Sequence, residues 1–172
     1  HDTVTSSITA MVYFLGRHPE WQERVRGEIQ ALRAADGPVL RPDGLELLPL
    51  TEMAFSETLR LVPPVPSIPR RATADFEFRG HRIPAGAIVG LSPLYSHRMP
   101  DLWPEPERFD PQRFSAEACR GRHRFAWVPF GGGAHMCIGK HFAIAQAKTF
   151  FFHLLSERRV VLEPGYETRF RM

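Results

Sequence analysis

The sequence predicts a mainly α-helical fold with a small β-sheet. Two segments repeat apolar residues at helical spacing, with polar or charged residues between them. The first contains Trp21, Val25, Ile29 and Leu32, and the second contains Ile138, Phe142, Ala145, Thr149, Phe152 and Leu155. From Phe76 to Leu91, short alternating runs are separated by Gly80 and by Pro84-Ala85-Gly86. Such runs indicate small β-strands.

Helix-start and helix-stop signals place the other helices. Residues from Thr3 to Leu15 are apolar and β-branched on more than one side, which predicts the end of a buried helix closed by Gly16. Pro19 suits the first turn of the next helix, and Asp36-Gly37-Pro38 ends it. A third helix is expected from about Pro49 to Leu61.

Prolines define the connecting segments. The run Pro63-Pro64-Val65-Pro66 cannot continue a helix and should be extended. Four prolines between Pro100 and Pro111 predict an ordered irregular segment, called here the meander. The tail from Val160 to Leu162 is a candidate strand.

Composition limits the classes of function. A chain of 172 residues with 43% hydrophobic content suits one globular domain. The net charge of +3 is mild and no run of lysines or arginines accompanies it, so no nucleic-acid partner is expected. No apolar stretch approaches the roughly 18 residues of a membrane span. Cys119 and Cys137 lie in different surroundings, which indicates a reducing, cytoplasmic compartment and no disulfide; a membrane anchor outside this chain stays open.

The cysteine loop, residues 130–139, carries the clearest chemical signal. It reads Phe-Gly-Gly-Gly-Ala-His-Met-Cys-Ile-Gly and precedes a predicted helix. Its glycines allow close approach of the backbone to a ligand, and the N–H groups of a helix start favour an anion such as a thiolate. Gly139 leaves the surface beside the sulfur bare, so a flat group has room there. Thiolate ligation of haem iron fits these features.

Cys137 has three alternative interpretations, and the sequence disfavours each of them. A buried structural cysteine is the commonest role of a lone thiol, but the glycines and Phe130 disfavour it. A structural zinc site needs three or four clustered ligands, whose spacing is absent. A cysteine hydrolase has His135 available, but nothing supplies the orienting partner.

Four motifs in order give the chain a close resemblance to the cytochrome P450 family. The cysteine loop matches F-x-x-G-x-x-x-C-x-G at every fixed position. The other three are His1-Asp2-Thr3, Glu57-Thr58-Leu59-Arg60 and Pro106-Glu107-Arg108-Phe109. The resemblance implies the C-terminal half of that fold: the end of the central helix, the ExxR helix, the meander, the cysteine loop and a final long helix. Residues 1–172 are then the C-terminal haem-binding portion of one domain, a fragment that is not an autonomous domain.

By resemblance, the cofactor is haem b (iron protoporphyrin IX) with Cys137 as its proximal thiolate ligand. The resemblance also implies a set of haem contacts: Arg70, Phe130, Gly131, Gly133, His135, Cys137 and Gly139. Of these, Arg70 and His135 are expected to meet haem propionates, although Arg71 is an equal candidate for the role of Arg70. A solvated loop histidine is the alternative for His135.

The remaining family roles fall on three other groups. Glu57 and Arg60 share a helix face, and the resemblance implies a buried structural triad completed by Arg108. Asp2 and Thr3 resemble the acid–threonine pair that relays protons during oxygen activation; a frayed helix start is the alternative. Val65, Pro66, Ser67 and Ile68 occupy the segment that lines the substrate pocket in the family, although an ordinary extended connector is also open for each.

The implied function is a haem-thiolate monooxygenase that inserts one oxygen atom of O2 into a hydrophobic organic substrate. Electrons are expected from a ferredoxin, a flavodoxin or a flavin reductase. Five residues form a candidate docking patch for an acidic donor, with a solvated charged face as the alternative: Arg120, Arg122, His123, Arg124 and Lys140. Two other functions stay open, peroxide-driven or isomerising haem-thiolate chemistry and a non-enzymatic haem-binding fragment.

Overall fold

The computed structural model describes residues 2–168, which contain six α-helices and, between the third and the fourth, four short β-strands. The helices are α1 (Asp2–Arg17), α2 (Pro19–Asp36), α3 (Pro49–Leu61), α4 (Pro93–Ser96), α5 (Ala116–Cys119) and α6 (Lys140–Glu157). The strands are β1 (Ile68–Arg71), β2 (Phe76–Phe78), β3 (His81–Ile83) and β4 (Ile88–Leu91). The predicted fold class, mainly α with a small β-sheet, is confirmed, and the strands form two small antiparallel sheets.

The predicted ends of α2 and α3 are confirmed. Each helix has a proline in its first turn, where a missing N–H costs nothing. The chain leaves α2 at Gly37, whose φ of 89° suits glycine. The predicted apolar face of α2 is buried, and α3 buries nearly its whole second half. Helix α3 therefore lies at the centre of the molecule.

Four helices build the core. Side chains of α1, α2, α3 and α6 pack together around α3, and the larger buried members are Met11, Leu15, Val25, Ile29, Phe55, Leu59, Phe151, Phe152 and Leu155. Polar side chains tie connecting segments to this core. The carboxylate of Glu28, for example, accepts from the N–H groups of Leu50 and Thr51 at 2.6 and 3.0 Å, which fixes the start of α3.

The strands form two antiparallel pairs. The small strands predicted between Phe76 and Leu91 are present: β2 pairs with β3 in a hairpin, whereas β4 pairs with β1, with Ile68 opposite Leu91. The sequence predicts an extended conformation for residues 63–66 and gives no strand at β1. Pro69 and the prolines before it concealed this strand, which forms because β4 supplies a partner from the far side of the hairpin.

Two predictions, one about the end of α1 and one about the tail, are wrong. Gly16 does not close α1, which continues to Arg17; it is small because a Cβ there would lie 2.9 Å from Leu162 Cγ. Residues 160–162 are not a strand. The side-chain amide of Gln22 donates to the Val160 carbonyl at 2.9 Å and accepts from its N–H at 2.8 Å. One side chain thus provides both hydrogen-bond partners of the Val160 backbone, which a neighbouring strand would otherwise provide.

The buried stripe of α6 also differs from the prediction. Phe152 and Leu155 are buried as expected, but they are joined by Ala147, Lys148 and Phe151. Ile138 lies before the helix and is fully exposed, and Phe142 is 72% exposed. The first turn of α6 therefore faces an open cavity and not the core. None of the helices over residues 2–168 combines the length and hydrophobicity that crossing a bilayer requires.

Candidate functional site

The cysteine loop folds as a closed turn in front of α6. Gly131 and Gly133 have φ angles of 73° and 67°, in the left-handed region that favours glycine. The Cys137 N–H donates to the Phe130 carbonyl at 2.8 Å and closes the loop. α6 begins at Lys140, so the predicted order of glycine loop, cysteine and helix is confirmed. The Cys137 thiol is free and exposed, so Cys137 is not a buried structural cysteine.

A cavity of about 560 Å³ opens beside the thiol. This volume lies within the roughly 300–1,000 Å³ of small-molecule pockets. The cavity brings together most of the residues that the sequence singled out: Thr3, Val65, Ile68, Arg70, Phe130, Gly131, His135, Cys137 and Gly139. Among the described residues, Asp2, Pro66, Ser67 and Gly133 are not part of its lining. His1, the first residue of the acid–threonine motif, lies outside the described residues.

The walls of the cavity are apolar, with a few polar groups. Phe55 and Leu59 of α3 and Phe142, Ala143 and Gln146 of α6 line it as well. The sequence interpretation missed these residues, although the i, i+4 spacing of Phe55 and Leu59 around Glu57 was a usable signal. Arg70 and His135 supply the basic groups and Cys137 the only thiol of this lining. An apolar slot with basic groups suits a flat apolar ligand that carries carboxylates.

Two contacts bear on how such a ligand fits. A Cβ placed on Gly139 would lie 3.7 Å from Cys137 Sγ, so glycine leaves the space beside the sulfur bare. Arg70 is half-buried and lines the cavity, whereas Arg71 is exposed and donates to the Gly86 carbonyl at 3.0 Å. The alternation of side chains along β1 separates the two arginines. Of the two arginines, Arg70 is therefore better placed to bind a carboxylate of a ligand in the cavity.

Glu57 and Arg60 form a fully buried ion pair. Arg60 Nε donates to Glu57 Oε2 at 2.6 Å and Nη2 donates to Oε1 at 2.9 Å, while both side chains are 0% exposed. Burial raises the pKa of Glu57, and the hydrogen bonds from Arg60 act in the opposite direction. The N–H of Asp110 donates to the same carboxylate at 2.8 Å. Three donors around one carboxyl group favour its ionised form.

The guanidinium of Arg60 also binds the main chain of distant segments. Its Nη1 donates to the carbonyls of His97 and Pro106 at 2.8 and 2.7 Å, and Nη2 donates to that of Arg108 at 3.1 Å. These carbonyls belong to the meander and to the residue after α4. The buried pair thus fixes the path of the meander, as the resemblance implies.

The assignment of Arg108 to this triad is wrong. Its side chain is 61% exposed and pairs with Glu105 at 3.1 Å, so only its carbonyl reaches Arg60. The third cation is Arg113, whose Nε lies 3.5 Å from Glu57 Oε1 and whose side chain is 11% exposed. The sequence offered two copies of the same pattern, Pro-x-Arg-Phe at 106–109 and at 111–114. Pro111 begins a short 3-10 helix that turns the second arginine inward.

His97 is a buried residue that the sequence interpretation missed. It is 0% exposed, and its Nε2 accepts from the Val128 N–H at 2.9 Å. Burial lowers its pKa to about 4, so the ring is neutral at neutral pH. Its Nδ1 has no hydrogen-bond partner among the described residues. A lone histidine after four residues of weak helical pattern gave no signal for this role.

The basic patch borders a second groove, of about 440 Å³, which residues 130–139 do not line. Arg122, His123, Arg124 and Lys140 line this groove, together with Cys119 and Trp127. Arg122 is held in place: it lies 4.4 Å from the Trp103 ring centroid, and its Nη2 donates to the Arg113 carbonyl. Arg120 and Arg124 are exposed. The structure therefore divides the predicted patch into one structural arginine and two accessible ones.

Comparison with known proteins identifies the family. The family model described as Cytochrome P450 matches residues 1–171. The chain belongs to the cytochrome P450 family. It is 42% identical over 171 residues to cytochrome P450 136 of Mycobacterium tuberculosis, which covers 98% of this chain and 34% of that protein. It is 44% identical over 149 residues to a taurochenodeoxycholic 6 alpha-hydroxylase of Sus scrofa, covering 86% of this chain and 29% of that protein.

A solved cytochrome P450 structure agrees with the fold. The cyanobacterial CYP120A1 with retinoic acid bound superposes with a TM-score of 0.84 at 38% identity, covering 90% of this chain and 35% of that one. The chain thus spans about a third of the length of the relatives that it matches. This family is enzymatic, and its members are haem-thiolate monooxygenases. Its model implies a haem with a cysteine thiolate ligand.

Proposed function

We propose that the protein carrying this chain is a haem-thiolate monooxygenase that inserts one oxygen atom of O2 into a hydrophobic organic substrate. The observation that supports this most directly is the cavity that Cys137 shares with Thr3, Arg70 and His135. Family membership supplies the reaction class, and the cavity supplies a place for it. The proposal concerns the whole protein, because this chain spans only about a third of its relatives.

The residues present fit haem b. Cys137 would be the proximal thiolate ligand, and Arg70 and His135 would bind the propionates as charge-assisted donors. Phe130, Gly131 and Gly139, which line the cavity, would contact the haem ring, and Gly133 would act through the shape of the loop. When bound, the haem supplies the oxygen-activating chemistry, to which thiolate ligation contributes electron density.

Residues of the chain would prepare this site in two ways. The bond from the Cys137 N–H to the Phe130 carbonyl fixes the loop that presents the sulfur. Phe55, Leu59 and Ile68 contribute apolar walls, which would favour an apolar ligand in the part of the cavity that they line. The loop hydrogen bond would hold the thiolate in one position, and the apolar walls would hold the ligand beside it.

Asp2 and Thr3 are suited to moving protons into the cavity. Thr3 lines the cavity, and Asp2 is the neighbouring acidic residue in the exposed first turn of α1. A hydroxyl both donates and accepts hydrogen bonds, as a relay requires. We assign the acid to taking protons from solvent and the hydroxyl to delivering them. Removing the Thr3 hydroxyl with T3V should then uncouple electron consumption from product formation more than it slows electron consumption.

The substrate is proposed to be apolar. Val65 and Ile68 contribute to the cavity wall, while Pro66 and Ser67 do not line it and would act by holding these two residues in place. The Pro66 carbonyl accepts from Ser92 Oγ at 3.1 Å, which ties the segment to the start of α4. The cyanobacterial relative was solved with retinoic acid, which agrees with an apolar substrate class.

Electrons are proposed to arrive through the basic patch from an acidic donor, a ferredoxin, a flavodoxin or a flavin reductase. The accessible Arg120 and Arg124 would steer the donor, because exposed charges mainly affect association rates. Charge reversal with R120E and R124E should slow reduction and weaken its dependence on salt. Reversal at the exposed Arg79, on the β2–β3 hairpin, is the matched control. Equal effects of all three changes would contradict docking at the patch. A cytoplasmic location stays our expectation, and both cysteines are free.

The carbon monoxide difference spectrum of the reduced full-length protein tests the proposal. We expect a thiolate-type band that C137A abolishes. C119S is the matched control, since Cys119 is the other exposed free cysteine, and it should keep the band. A protein without a haem spectrum, or a thiolate-type band that survives C137A, would refute the proposal.

A further inference from the structure

A chain of hydrogen bonds connects the buried Glu57–Arg60 pair to the cysteine loop, and His97 is its central member. Arg60 donates to the His97 carbonyl at 2.8 Å, and the His97 ring accepts from the Val128 N–H at 2.9 Å. The Val128 carbonyl then accepts from the Gly131 N–H at 3.0 Å, and the Phe130 carbonyl accepts from Cys137. His97 contributes its carbonyl on one side and its side chain on the other.

The protonation state of His97 follows from this geometry. Because Nε2 accepts a hydrogen bond, the single proton of the neutral ring is on Nδ1. That nitrogen is buried and has no partner among residues 2–168, and the same holds for Trp103 Nε1, whose ring lies 6.4 Å away. Unsatisfied buried donors are uncommon in folded proteins and call for an explanation. For His97 the explanation is that Nε2 must accept a hydrogen bond, which leaves the proton on Nδ1.

Other side chains anchor the loop more weakly. Trp127 Nε1 donates to the Ser56 carbonyl at 3.2 Å, which connects the residue before Val128 to α3. His97 is the side chain that binds the N–H of Val128, two residues before the loop, and Pro129, which follows Val128, has no N–H to donate. Loss of the contact at Val128 therefore frees the start of the loop.

We propose that His97 is a positioning residue for the haem thiolate: its neutral ring fixes Val128, and through it the loop that presents Cys137. The inference rests on the proposed function only in that the ligand of the Cys137 thiolate is a haem. The contact itself concerns residues of this chain alone. An acceptor at the Nε2 position is what the role requires, not a ring or a charge.

H97Q and H97N form a matched pair of tests. Glutamine places its amide oxygen near the position of Nε2, whereas the asparagine oxygen lies near Nδ1 and does not reach Val128. In the full-length protein, the Val128 amide should exchange with deuterium about tenfold faster in H97N than in H97Q, the size of one lost hydrogen bond. H81N, on the exposed strand β3, is the control and should leave the exchange unchanged.

The haem spectrum supplies the second readout. We expect H97Q to keep the thiolate-type carbon monoxide band and H97N to convert part of it to the band of a protonated thiol. Equal exchange at Val128 in both variants, or failure of both to fold, would overturn the inference, since the retained acceptor would then have no effect. If the wild type lacks a thiolate band, the proposed function fails, while the exchange comparison still tests the role of His97.

Discussion

Arg113 and Arg108 provide a direct test of how the meander is held. Arg113 is 11% exposed, lies 3.5 Å from Glu57 and donates to the Glu105 carbonyl at 2.9 Å. Arg108 is 61% exposed and pairs with the exposed side chain of Glu105. We compare R113A with R108A, because the two arginines occupy the same Pro-x-Arg-Phe pattern and differ in burial.

The structure sets the expected magnitudes. Truncating one partner of a buried ion pair costs roughly 3–5 kcal/mol, and Glu57 keeps Arg60 in R113A, so we expect a loss of about 2 kcal/mol in the free energy of unfolding. A change of this size alters the ratio of folded to unfolded protein by a factor of about 30. R108A removes an exposed pair, for which about 0–1 kcal/mol is usual.

Urea unfolding of the full-length protein, followed by circular dichroism, measures both variants, and the thiolate-type carbon monoxide band reports haem retention. R113A should lower the unfolding midpoint and the haem content, whereas R108A should match the wild type. R113K keeps the charge but loses the planar fork, so an intermediate value is expected. Equal losses in R108A and R113A, or a larger loss in R108A, would refute the assignment of Arg113 to the triad.

Three further predictions concern burial, pH and packing. Glu57→Ala leaves Arg60 buried without its partner, which costs roughly 3–5 kcal/mol, and should abolish haem incorporation; normal haem content would contradict this. Burial lowers the pKa of His97 from 6.5 to about 4. The contribution of His97 to the free energy of unfolding is therefore complete above pH 6.5 and is lost as pH falls towards 4, about 3 kcal/mol in all. H97Q should flatten this part of the profile of unfolding free energy against pH. Gly16→Ala should destabilise by about 1–3 kcal/mol through overlap with the tail, whereas Gly27→Ala, with nothing within 4 Å of its Cβ, should stabilise α2 by about 0.5–1 kcal/mol; equal melting temperatures of the two variants would be evidence against the packing argument.

Local signals predicted the elements that depend on local chemistry. Prolines and a glycine marked both ends of α2 and the bounds of α3, and the glycines marked the loop before Cys137. These features are determined within a few residues, by a missing N–H or a positive φ. The cavity residues Thr3 and Cys137 were found through motifs, and the structure brings them to one cavity.

Features set by distant partners were not predictable in this way. β1 forms because β4 returns beside it, and the tail is satisfied by Gln22 from α2. The choice between Arg108 and Arg113 depends on which arginine faces Glu57 in space, and the repeated pattern gave both the same appearance. In α6, helical spacing alone did not show that Phe142 faces a cavity and not the core.

The contacts of Arg60 have a consequence for which substitutions the meander tolerates. Its guanidinium binds carbonyl oxygens of residues 97, 106 and 108, and every residue type carries such an oxygen. The interaction therefore depends on the path of the main chain and does not depend on which side chains these residues carry. Exposed positions such as 107 and 108 can carry other side chains and adapt to a neighbouring molecule, while the trace that supports the cysteine loop stays the same.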